Sequence, residues 1–343
     1  MKTDIIVIGA GPVGLFTVFE AGILGLNCTL IDNLDKPGGQ CAELYPEKPI
    51  FDIPGVPYQT GQEHVDALLE QIKPFDYKLH LNQRVEQIEQ KNNGWLVTTS
   101  AGEQFESLNV FIAAGAGAFE PIKPNINTDI SQLEDKQVHY SVKDKMSYEG
   151  KKVLVFGGGD SALDWTVELE KIASEVTLIH RRDAFRGAPD TEMKVRDLAA
   201  KKKINLLTPF IIKDVALDSS GELGEAILYN SDTKTDITLS ADNILFFYGL
   251  NKKLGPLLDW GLENNGKKIE VDTECYETNK PGIFAVGDIN NYPGKLNLIL
   301  SGFHETTLAV QKAFKRIYPE ERVPFGYTTS NTTIHERLGI KSD

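Results

Sequence analysis

The sequence predicts an α/β protein that contains two similar units, one inserted into the other. The first observation is a short apolar strand that runs through a glycine-rich turn into an apolar helix, in DIIVIGAGPVGLF (4–16). The second observation is the return of that pattern in KKVLVFGGGDSALDW (151–165). Strands that alternate with helices in this way are typical of a parallel sheet covered by helices.

Length and composition describe a globular protein with enough residues for two domains. The chain has 343 residues, with a hydrophobic content of 41% and a charged content of 25%. Its formal net charge of −13 disfavours binding to nucleic acid. The apolar start is too short to span a membrane and lacks the features of a signal peptide, so we expect a soluble, cytoplasmic protein.

The first glycine turn has the spacing of a dinucleotide-binding site. It contains Gly9, Gly11, Pro12, Val13 and Gly14. In such a turn the first glycine permits the tight bend, the second lets a pyrophosphate approach the backbone, and the third lets the helix pack closely on the strand. The N-terminus of the helix offers unpaired N–H groups to phosphate. The next strand ends at Asp32, whose carboxylate would accept hydrogen bonds from a free ribose diol and repel a 2′-phosphate.

The second glycine turn is followed by cations instead of an acid. Its residues are Gly157, Gly158, Gly159, Asp160, Ser161 and Ala162, with the alanine in the place of the third glycine. At the position equivalent to Asp32 the second unit has His180, and the cations next to it are Arg181, Arg182 and Arg186. Guanidinium groups bind phosphate in a bidentate way and stay charged, so the cluster predicts a site for the 2′-phosphate of NADP(H). The alternative is that these arginines only keep an exposed strand end soluble.

Two nucleotide sites of opposite ribose preference predict FAD at the first turn and NADPH at the second. Near the C-terminus, PGIFAVGDINN (281–291) predicts a strand that ends at Gly287 and Asp288, with a helix that begins near Lys295. The Asp288 carboxylate would accept hydrogen bonds from the ribityl chain of a flavin, and the positive end of the helix would favour negative charge on the reduced ring. A role for Asp288 as a plain turn or capping residue is the alternative.

This C-terminal segment predicts that the FAD-binding domain is discontinuous. The stretch VFIAAGAGAFEP (110–121) ends in small residues where the chain would leave that domain. We expect the FAD-binding domain at residues 1–116 and 251–343, with a C-terminal extension at 320–343. The NADPH-binding domain is then residues 117–250.

Two tyrosines are candidates for stacking on a flavin ring. Tyr45 lies in the turn-rich loop GGQCAELYPEKPIFDIPG (38–55), and Tyr327 lies beyond the last predicted helix. Ordinary packing is the alternative for each.

Several of these segments together resemble a known family. GAGPVG, GGQ, LYPEKPIFDIPG, GGGDSALDW, HRRDAFR and AVGDI are similar to the thioredoxin-reductase-like flavoproteins, and within them to the ferredoxin–NADP⁺ reductases of that type. The resemblance covers essentially the whole chain. It implies a homodimer with one non-covalent FAD per chain, NADPH as the hydride donor, and ferredoxin or flavodoxin as the partner that takes electrons singly.

The same resemblance implies roles for individual residues. The FAD contacts would fall on Asp32, Gln40, Tyr45, Val85, Phe119, Asp288 and Thr329. Tyr45 would cover one face of the flavin ring and Tyr327 the other, while Thr328 would lie near its reactive nitrogen. The sequence departs from the family at Asp32, where glutamate is common, and the residue at the position of Tyr327 varies among family members.

The three cysteines, Cys28, Cys41 and Cys275, separate this chain from related enzymes. Thioredoxin reductases need a C-x-x-C pair ahead of the second glycine turn, and HYSVKDKMSYEG (139–150) contains no cysteine. Glutathione-reductase-type enzymes need a C-x4-C pair, of which this chain has Cys41 alone. Bacillithiol disulfide reductases are thought to carry a cysteine in the first turn, where Val13 stands here. No His or Cys cluster has zinc spacing, so we expect no metal site.

The residues alone leave the electron acceptor open. An NADPH-dependent quinone or oxygen reductase would use the same two cofactors, and a non-enzymatic flavin and NADPH sensor would bind both. Many ferredoxins are acidic, so docking needs a basic patch. The candidates are Lys201–Lys203 and a helix face with Lys312, Lys315 and Arg316, and the alternative for each is an ordinary solvated charge cluster.

Overall fold

The computed structural model describes residues 1–324 and 327–340; at 118–120 and 250–253 it describes the backbone alone. The strands in chain order are β1 (Ile5–Ile8), β2 (Cys28–Ile31), β3 (Pro49–Ile50), β4 (Gln59–Thr60), β5 (Tyr77–His80), β6 (Val85–Lys91), β7 (Gly94–Thr99), β8 (Gln104–Ser107), β9 (Asn109–Ile112), β10 (Ala118–Pro121), β11 (Val138–His139), β12 (Lys152–Gly157), β13 (Glu175–Ile179), β14 (Asn205–Leu207), β15 (Phe210–Leu217), β16 (Leu223–Asn230), β17 (Asp236–Ser240), β18 (Asn243–Phe247), β19 (Leu250–Lys253), β20 (Ile269–Glu270), β21 (Ile283–Ala285) and β22 (Asn290–Asn291). The helices are α1 (Pro12–Ile23), α2 (Gly39–Glu43), α3 (Gly61–Ile72), α4 (Asp160–Leu169), α5 (Pro189–Ala200), α6 (Ile299–Ile317) and α7 (Thr332–Arg337).

The chain divides into two units. Unit 1 consists of Met1–Phe119 and Lys252–Asp343, and unit 2 consists of Glu120–Asn251. Strands β10 and β19, where the chain passes from one unit to the other, form a two-stranded sheet.

Unit 1 is built on a five-stranded parallel sheet in the order β21–β9–β1–β2–β5. Ile5 of β1 lies opposite Cys28 of β2 and Asn109 of β9, so the carboxyl ends of these strands meet at one edge. Helices α1, α3 and α6 pack on one face, and the antiparallel sheet β6–β7–β8 packs on the other. Strands β1, β2 and β9 are buried along their whole length because both faces of the sheet are covered.

Unit 2 repeats this plan with a parallel sheet in the order β11–β18–β12–β13–β14. Val153 of β12 lies opposite Asn243 of β18 and Val176 of β13. Helices α4 and α5 pack on one face, and the antiparallel sheet β15–β16–β17 packs on the other. The predicted α/β class with two Rossmann-like units is therefore confirmed.

Local sequence sets the beginnings of the helices. Helix α1 begins at Pro12, whose fixed φ and missing N–H suit the first helical position. Helix α3 begins with a capping box, in which the Thr60 hydroxyl accepts from the Glu63 N–H and the Glu63 carboxylate accepts from the Thr60 N–H at 2.7 Å. Helix α6 begins at Ile299, later than the predicted start near Lys295, because the Lys295 side chain turns inward to pair with a carboxylate.

Glu20 on α1 makes the stability of unit 1 depend on pH. Burial raises the pKa of this carboxyl to about 7, although a hydrogen bond with Thr307 acts in the opposite direction. A carboxyl with a higher pKa in the folded state stabilises the fold at low pH, and that contribution is lost as the pH rises through the folded-state value. We expect the free energy of unfolding to fall between pH 5 and pH 8 by about 2 kcal/mol more in the wild type than in Glu20→Gln. Urea unfolding measures this, with exposed Glu89→Gln as the control; equal pH slopes in wild type and Glu20→Gln would contradict the prediction.

Candidate nucleotide-binding sites

The first glycine turn permits a backbone contact that side chains would block. After β1 the chain turns at Gly9, whose φ is +106°, and a Cβ there would lie 2.5 Å from the carbonyl oxygen of Ala113. A Cβ at Gly14 would lie 1.9 Å from the carbonyl oxygen of Gly9, so α1 packs directly on the turn. Both glycines therefore have the packing roles that the sequence predicts for them.

The N-terminus of α1 is open to an anion. Its N-cap residue, Gly11, provides no side-chain acceptor for the free N–H groups of the first turn. A helix N-terminus carries about half a positive charge, which favours phosphate. A Cβ at Gly11 would make ordinary contact, at 3.8 Å, with the Cα of Gly39 in α2. The donors in this cradle fit a pyrophosphate.

Asp32 lies beside the same turn. Its Oδ2 accepts from the Ala10 N–H at 2.6 Å, and its Oδ1 accepts from the Leu34 N–H at 2.8 Å. Burial raises the pKa of the carboxyl, while these backbone hydrogen bonds lower it. The carboxylate is thus held at the end of β2, where an oxygen can accept from a ribose hydroxyl.

Tyr45 and Asp288, two of the residues named for the flavin, lie near one another and near Cys41. Tyr45, just after α2, packs partly buried against the core of unit 1. Its hydroxyl is 3.5 Å from the Cys41 sulfur. Burial raises the pKa of Tyr45 most strongly, and the neighbouring Cys41 and the Asp288 carboxylate raise it further. Asp288 follows β21 and so lies at the same carboxyl edge of the sheet as the glycine turn. Gln40 approaches the backbone at Gly115.

For the other residues that the resemblance names for FAD, the described structure shows no arrangement that favours a contact with the flavin. The Val85 side chain is 4% exposed and packs in the core below the sheet, so a contact from this residue must use its backbone. The Phe119 side chain lies outside the described part of the chain. Tyr327 is 72% exposed, and Thr328 and Thr329 are exposed in the turn before α7. Their contacts with flavin stay predictions.

The C-terminal extension is anchored on unit 1. The Arg337 Nη1 donates to the carbonyl oxygen of Ile23 at the end of α1, at 2.6 Å. The His335 Nε2 hydrogen-bonds the carbonyl oxygen of Thr328 at 2.6 Å, and the Tyr327 carbonyl oxygen accepts from the Asn331 N–H at 3.0 Å. These contacts fix the segment that carries Tyr327 and Thr328.

A buried ion pair supports the loop that carries Asp288, and the sequence interpretation missed it. Glu305 on α6 is fully buried and pairs with Lys295, which is also buried. Its Oε2 accepts from the Gly287 N–H at 2.7 Å and from the Asn290 side chain at 2.8 Å, and its Oε1 accepts from the Tyr292 hydroxyl at 2.9 Å. The available signal was a carboxylate within the apolar stripe of an amphipathic helix.

The second glycine turn leaves room for a ligand at one position. A Cβ at Gly157 would lie 2.7 Å from the Phe247 carbonyl oxygen, and a Cβ at Gly158 would lie 2.3 Å from the His180 ring. A Cβ at Gly159 would meet nothing within 4 Å, so a phosphate can approach the backbone there. The residues that follow at the start of α4 are Asp160, whose carboxylate accepts from the Ala188 N–H at 2.8 Å, the exposed Ser161 and the buried Ala162.

The arginine cluster lies next to this turn and has no acidic partner. The Arg186 N–H donates to the Gly158 carbonyl oxygen at 2.7 Å, which ties the arginine segment to the turn. Within the described residues, the guanidinium groups of Arg181, Arg182 and Arg186 form no ion pair. Asp183, the acid within this segment, instead lies 3.6 Å from Arg196.

Asp183 makes its contacts elsewhere, so it does not neutralise the three cations of the cluster. Its Oδ1 also accepts from the Thr208 hydroxyl at 3.0 Å. The Arg196 guanidinium lies over the ring of Phe185. That ring stacks on the His180 ring, with 5.2 Å between the two ring centroids. Burial, and then the charge of Arg181, lowers the pKa of His180, so this ring is neutral at pH 7 and packs against the turn. The exposed positive charge comes from the arginines.

The cysteines have no redox partner in this fold. All three are free; Cys28 and Cys41 are buried and Cys275 is partly buried. Burial raises the pKa of each thiol, that of Cys275 to about 11, which makes them poor nucleophiles. All three belong to unit 1, so unit 2 contains no cysteine. In the described chain, no helix is both long enough and apolar enough to cross a membrane.

Two Rossmann-like units, each with an open glycine turn, define a dinucleotide-dependent oxidoreductase. Residues 3–313 match the family described as pyridine nucleotide-disulphide oxidoreductase. The ferredoxin–NADP reductase of Nitrobacter hamburgensis is 49% identical over 342 residues, covering 99% of this chain and 98% of the relative. That of Pelagibacter ubique is 48% identical over 342 residues, covering 99% of each. The chain belongs to the pyridine nucleotide-disulphide oxidoreductases and, within them, to the ferredoxin–NADP reductase family.

Solved structures share the fold. Thioredoxin reductase of Lactococcus lactis has a TM-score of 0.77 and 24% identity, covering 93% of this chain and 100% of that one. The bacillithiol disulfide reductase of Bacillus cereus has a TM-score of 0.74 and 18% identity, covering 92% of this chain and 100% of that one. At these identities the likeness concerns the fold alone.

Glu305→Gln tests the buried ion pair, because it leaves the Lys295 ammonium 3% exposed and without its counter-ion. We expect it to lower the free energy of unfolding by about 3 kcal/mol. The double variant Lys295→Met/Glu305→Gln removes both charges and should recover part of that loss. Urea unfolding of the wild type, Glu305→Gln, Lys295→Met and the double variant gives the coupling energy. Equal losses in the single and double variants would contradict the prediction.

Proposed function

We propose that this protein is a flavoenzyme that passes hydride from NADPH to FAD and then single electrons to ferredoxin. The prediction of an oxidoreductase with these two cofactors is confirmed by its family. The observation that carries the proposal is the contrast between Asp32 at the first turn and the unpaired arginine cluster at the second. One site suits a free ribose and the other a phosphorylated ribose, so each nucleotide has its own place.

Unit 1 is the proposed FAD-binding domain. The N–H groups at the start of α1 hold the pyrophosphate, and the Asp32 carboxylate accepts from the ribose. Gln40, Tyr45 and Asp288 hold the ring and the ribityl chain, while Glu305 positions Asp288 by fixing the Gly287 N–H. When bound, the flavin supplies the chemistry of accepting a hydride and releasing electrons one at a time.

Unit 2 is the proposed NADPH-binding domain. The open backbone at Gly159 and the start of α4 receive the pyrophosphate, and Arg181, Arg182 and Arg186 bind the 2′-phosphate. His180 is neutral, and its ring supports the turn at Gly158. Specificity for NADPH over NADH therefore comes from guanidinium groups that no carboxylate of the described chain neutralises.

The residues near the flavin position it and do not act as bases. Tyr45, whose pKa burial raises further above neutral pH, is proposed to present a neutral ring to the flavin. We place Tyr327 on the opposite face and Thr328 near the reactive nitrogen as proposals from the resemblance. A homodimer and flavodoxin as a second acceptor are proposed on the same ground, and a cytoplasmic location is proposed as well.

An anaerobic turnover assay tests whether ferredoxin is the electron acceptor. The FAD-loaded enzyme is mixed with NADPH and a low-potential ferredoxin, and reduction of cytochrome c coupled to the ferredoxin is followed, with NADH in parallel. We expect turnover that depends on both ferredoxin and the 2′-phosphate. Rapid reduction of the flavin by NADPH without ferredoxin-dependent turnover would contradict the proposed acceptor, and quinone and oxygen would then be tested.

The double variant Arg181→Ala/Arg182→Ala tests the second nucleotide site. Loss of charge-assisted hydrogen bonds to the 2′-phosphate should raise the KM for NADPH by roughly 10- to 100-fold and leave that for NADH nearly unchanged. Steady-state flavin-dependent reduction of ferricyanide measures both constants. Lys213→Ala is the matched control, since this exposed cation of unit 2 already pairs with Asp236. Equal increases in the KM values for NADPH and NADH would show that the arginine cluster does not bind the 2′-phosphate.

A further inference from the structure

Unit 1 contains a cavity at the edge of the sheet opposite the glycine turn. Its volume is about 610 Å³. Leu108 and Pro281, which line it, precede β9 and β21, whereas Ala113 and Gly287 follow these strands at the turn. Because the strands are parallel, the cavity and the turn lie at opposite ends of the sheet, and the four residues of β9 alone span about 13 Å. The cavity is therefore separate from the proposed FAD site.

The charged side chains at the cavity are all positive. Lys280, Lys315 and Arg316 line it, and its described lining residues include no Asp or Glu. The Lys280 ammonium donates to the Trp260 carbonyl oxygen at 2.6 Å, and the Lys315 ammonium donates to the carbonyl oxygen of Glu321. These partners are neutral, so the two charges are not compensated.

Arg316 lacks even a neutral partner. Its Nε is buried without a hydrogen-bond acceptor, and its guanidinium forms no ion pair with a described residue. The group lies against Gly282, where a Cβ would be 2.7 Å from Nη2. Glu277 is near, but its carboxylate accepts from the Gly282 N–H at 2.6 Å and does not pair with Arg316. The Arg316 side chain is partly buried, so a buried Nε without an acceptor is unfavourable, and the rest of the guanidinium can bind an anion.

The fold itself offsets little of this charge. Lys315 and Arg316 lie in the last turn of α6, whose C-terminus carries about half a negative charge. That half charge and the nearby Glu277 carboxylate do not balance three full positive charges, so the cavity keeps a net positive charge. The cluster is the more notable in a chain with a net charge of −13. Positive charge focused in a concave, partly apolar site raises the local concentration of anions.

We propose that this cavity binds a compact organic anion with at least two negative charges, a phosphate ester or a polycarboxylate. The three cations face the anionic groups, with Arg316 as the bidentate donor. Trp95 and Pro281 form an apolar wall, and the side chains of Asn92 and Asn93 add hydrogen-bonding groups. The volume lies within the range of about 300–1,000 Å³ that small-molecule sites occupy. This inference goes beyond the proposed function and does not depend on it.

Titration calorimetry tests the site on the FAD-loaded enzyme, with Arg181→Ala/Arg182→Ala present in every protein so that the arginine cluster of unit 2 does not take up the probes; wild type here means an unchanged cavity. The probes are inorganic pyrophosphate for phosphate esters and citrate for polycarboxylates. We expect one site per chain for at least one probe, and at least tenfold weaker binding in Arg316→Gln. The matched control is Lys312→Gln, an exposed cation on α6 that does not line the cavity, and it should bind as the wild type does.

A second variant keeps the test valid if Arg316→Gln is poorly folded. Lys315→Gln changes an exposed side chain and should also weaken the probe at least threefold, with urea unfolding as the check on folding. Failure of both probes to bind the wild type, or wild-type binding in both cavity variants, would overturn the proposal. A higher KM for ferredoxin in Arg316→Gln without any binding of the probes would also overturn it, because the cluster would then be a protein-docking surface.

Discussion

The close backbone contact at the first glycine turn is the constraint on which the rest of the structure depends. Because nothing larger than hydrogen fits at Gly9 and Gly14, α1 starts directly beyond β1 and packs on the turn, and the turn lies against Ala113 just after β9. That packing places free N–H groups at the carboxyl edge of the sheet. Unit 2 reaches the same arrangement with Ala162 as the third residue, whose Cβ faces Gly157. Both units therefore offer a phosphate cradle at the same point of their fold.

The two glycine turns differ in the charge of the residues at the end of the next strand, β2 in unit 1 and β13 in unit 2. In unit 1 the backbone N–H groups of Ala10 and Leu34 hold the Asp32 carboxylate in place. In unit 2 Asp183 lies beside Arg196, and the arginine cluster forms no ion pair with a described residue. In the proposed function, this single charge contrast on one scaffold separates the two nucleotides without any change of fold.

The sequence predicts what depends on local pattern. The two glycine turns, the buried strands, Asp32 and the arginines follow from residues close together in the chain, and the α/β class with two Rossmann-like units is confirmed. The predicted helix start near Lys295 was wrong by one turn, because a contact with Glu305 on the helix draws that lysine inward. The cavity at Arg316 could not be predicted either, because Leu108, Pro281 and Arg316 are far apart in the sequence and come together only in the folded unit. Contacts between distant segments leave no periodic signal in a single sequence.

The most direct test of the central claim is a crystal structure of the protein with FAD and NADP⁺ bound. The account predicts that the FAD ribose donates a hydrogen bond to Asp32 in unit 1, and that the 2′-phosphate of NADP⁺ lies within hydrogen-bonding distance of Arg181 and Arg182 in unit 2. A 2′-phosphate bound away from the arginine cluster, or FAD bound at the turn of unit 2, would contradict it.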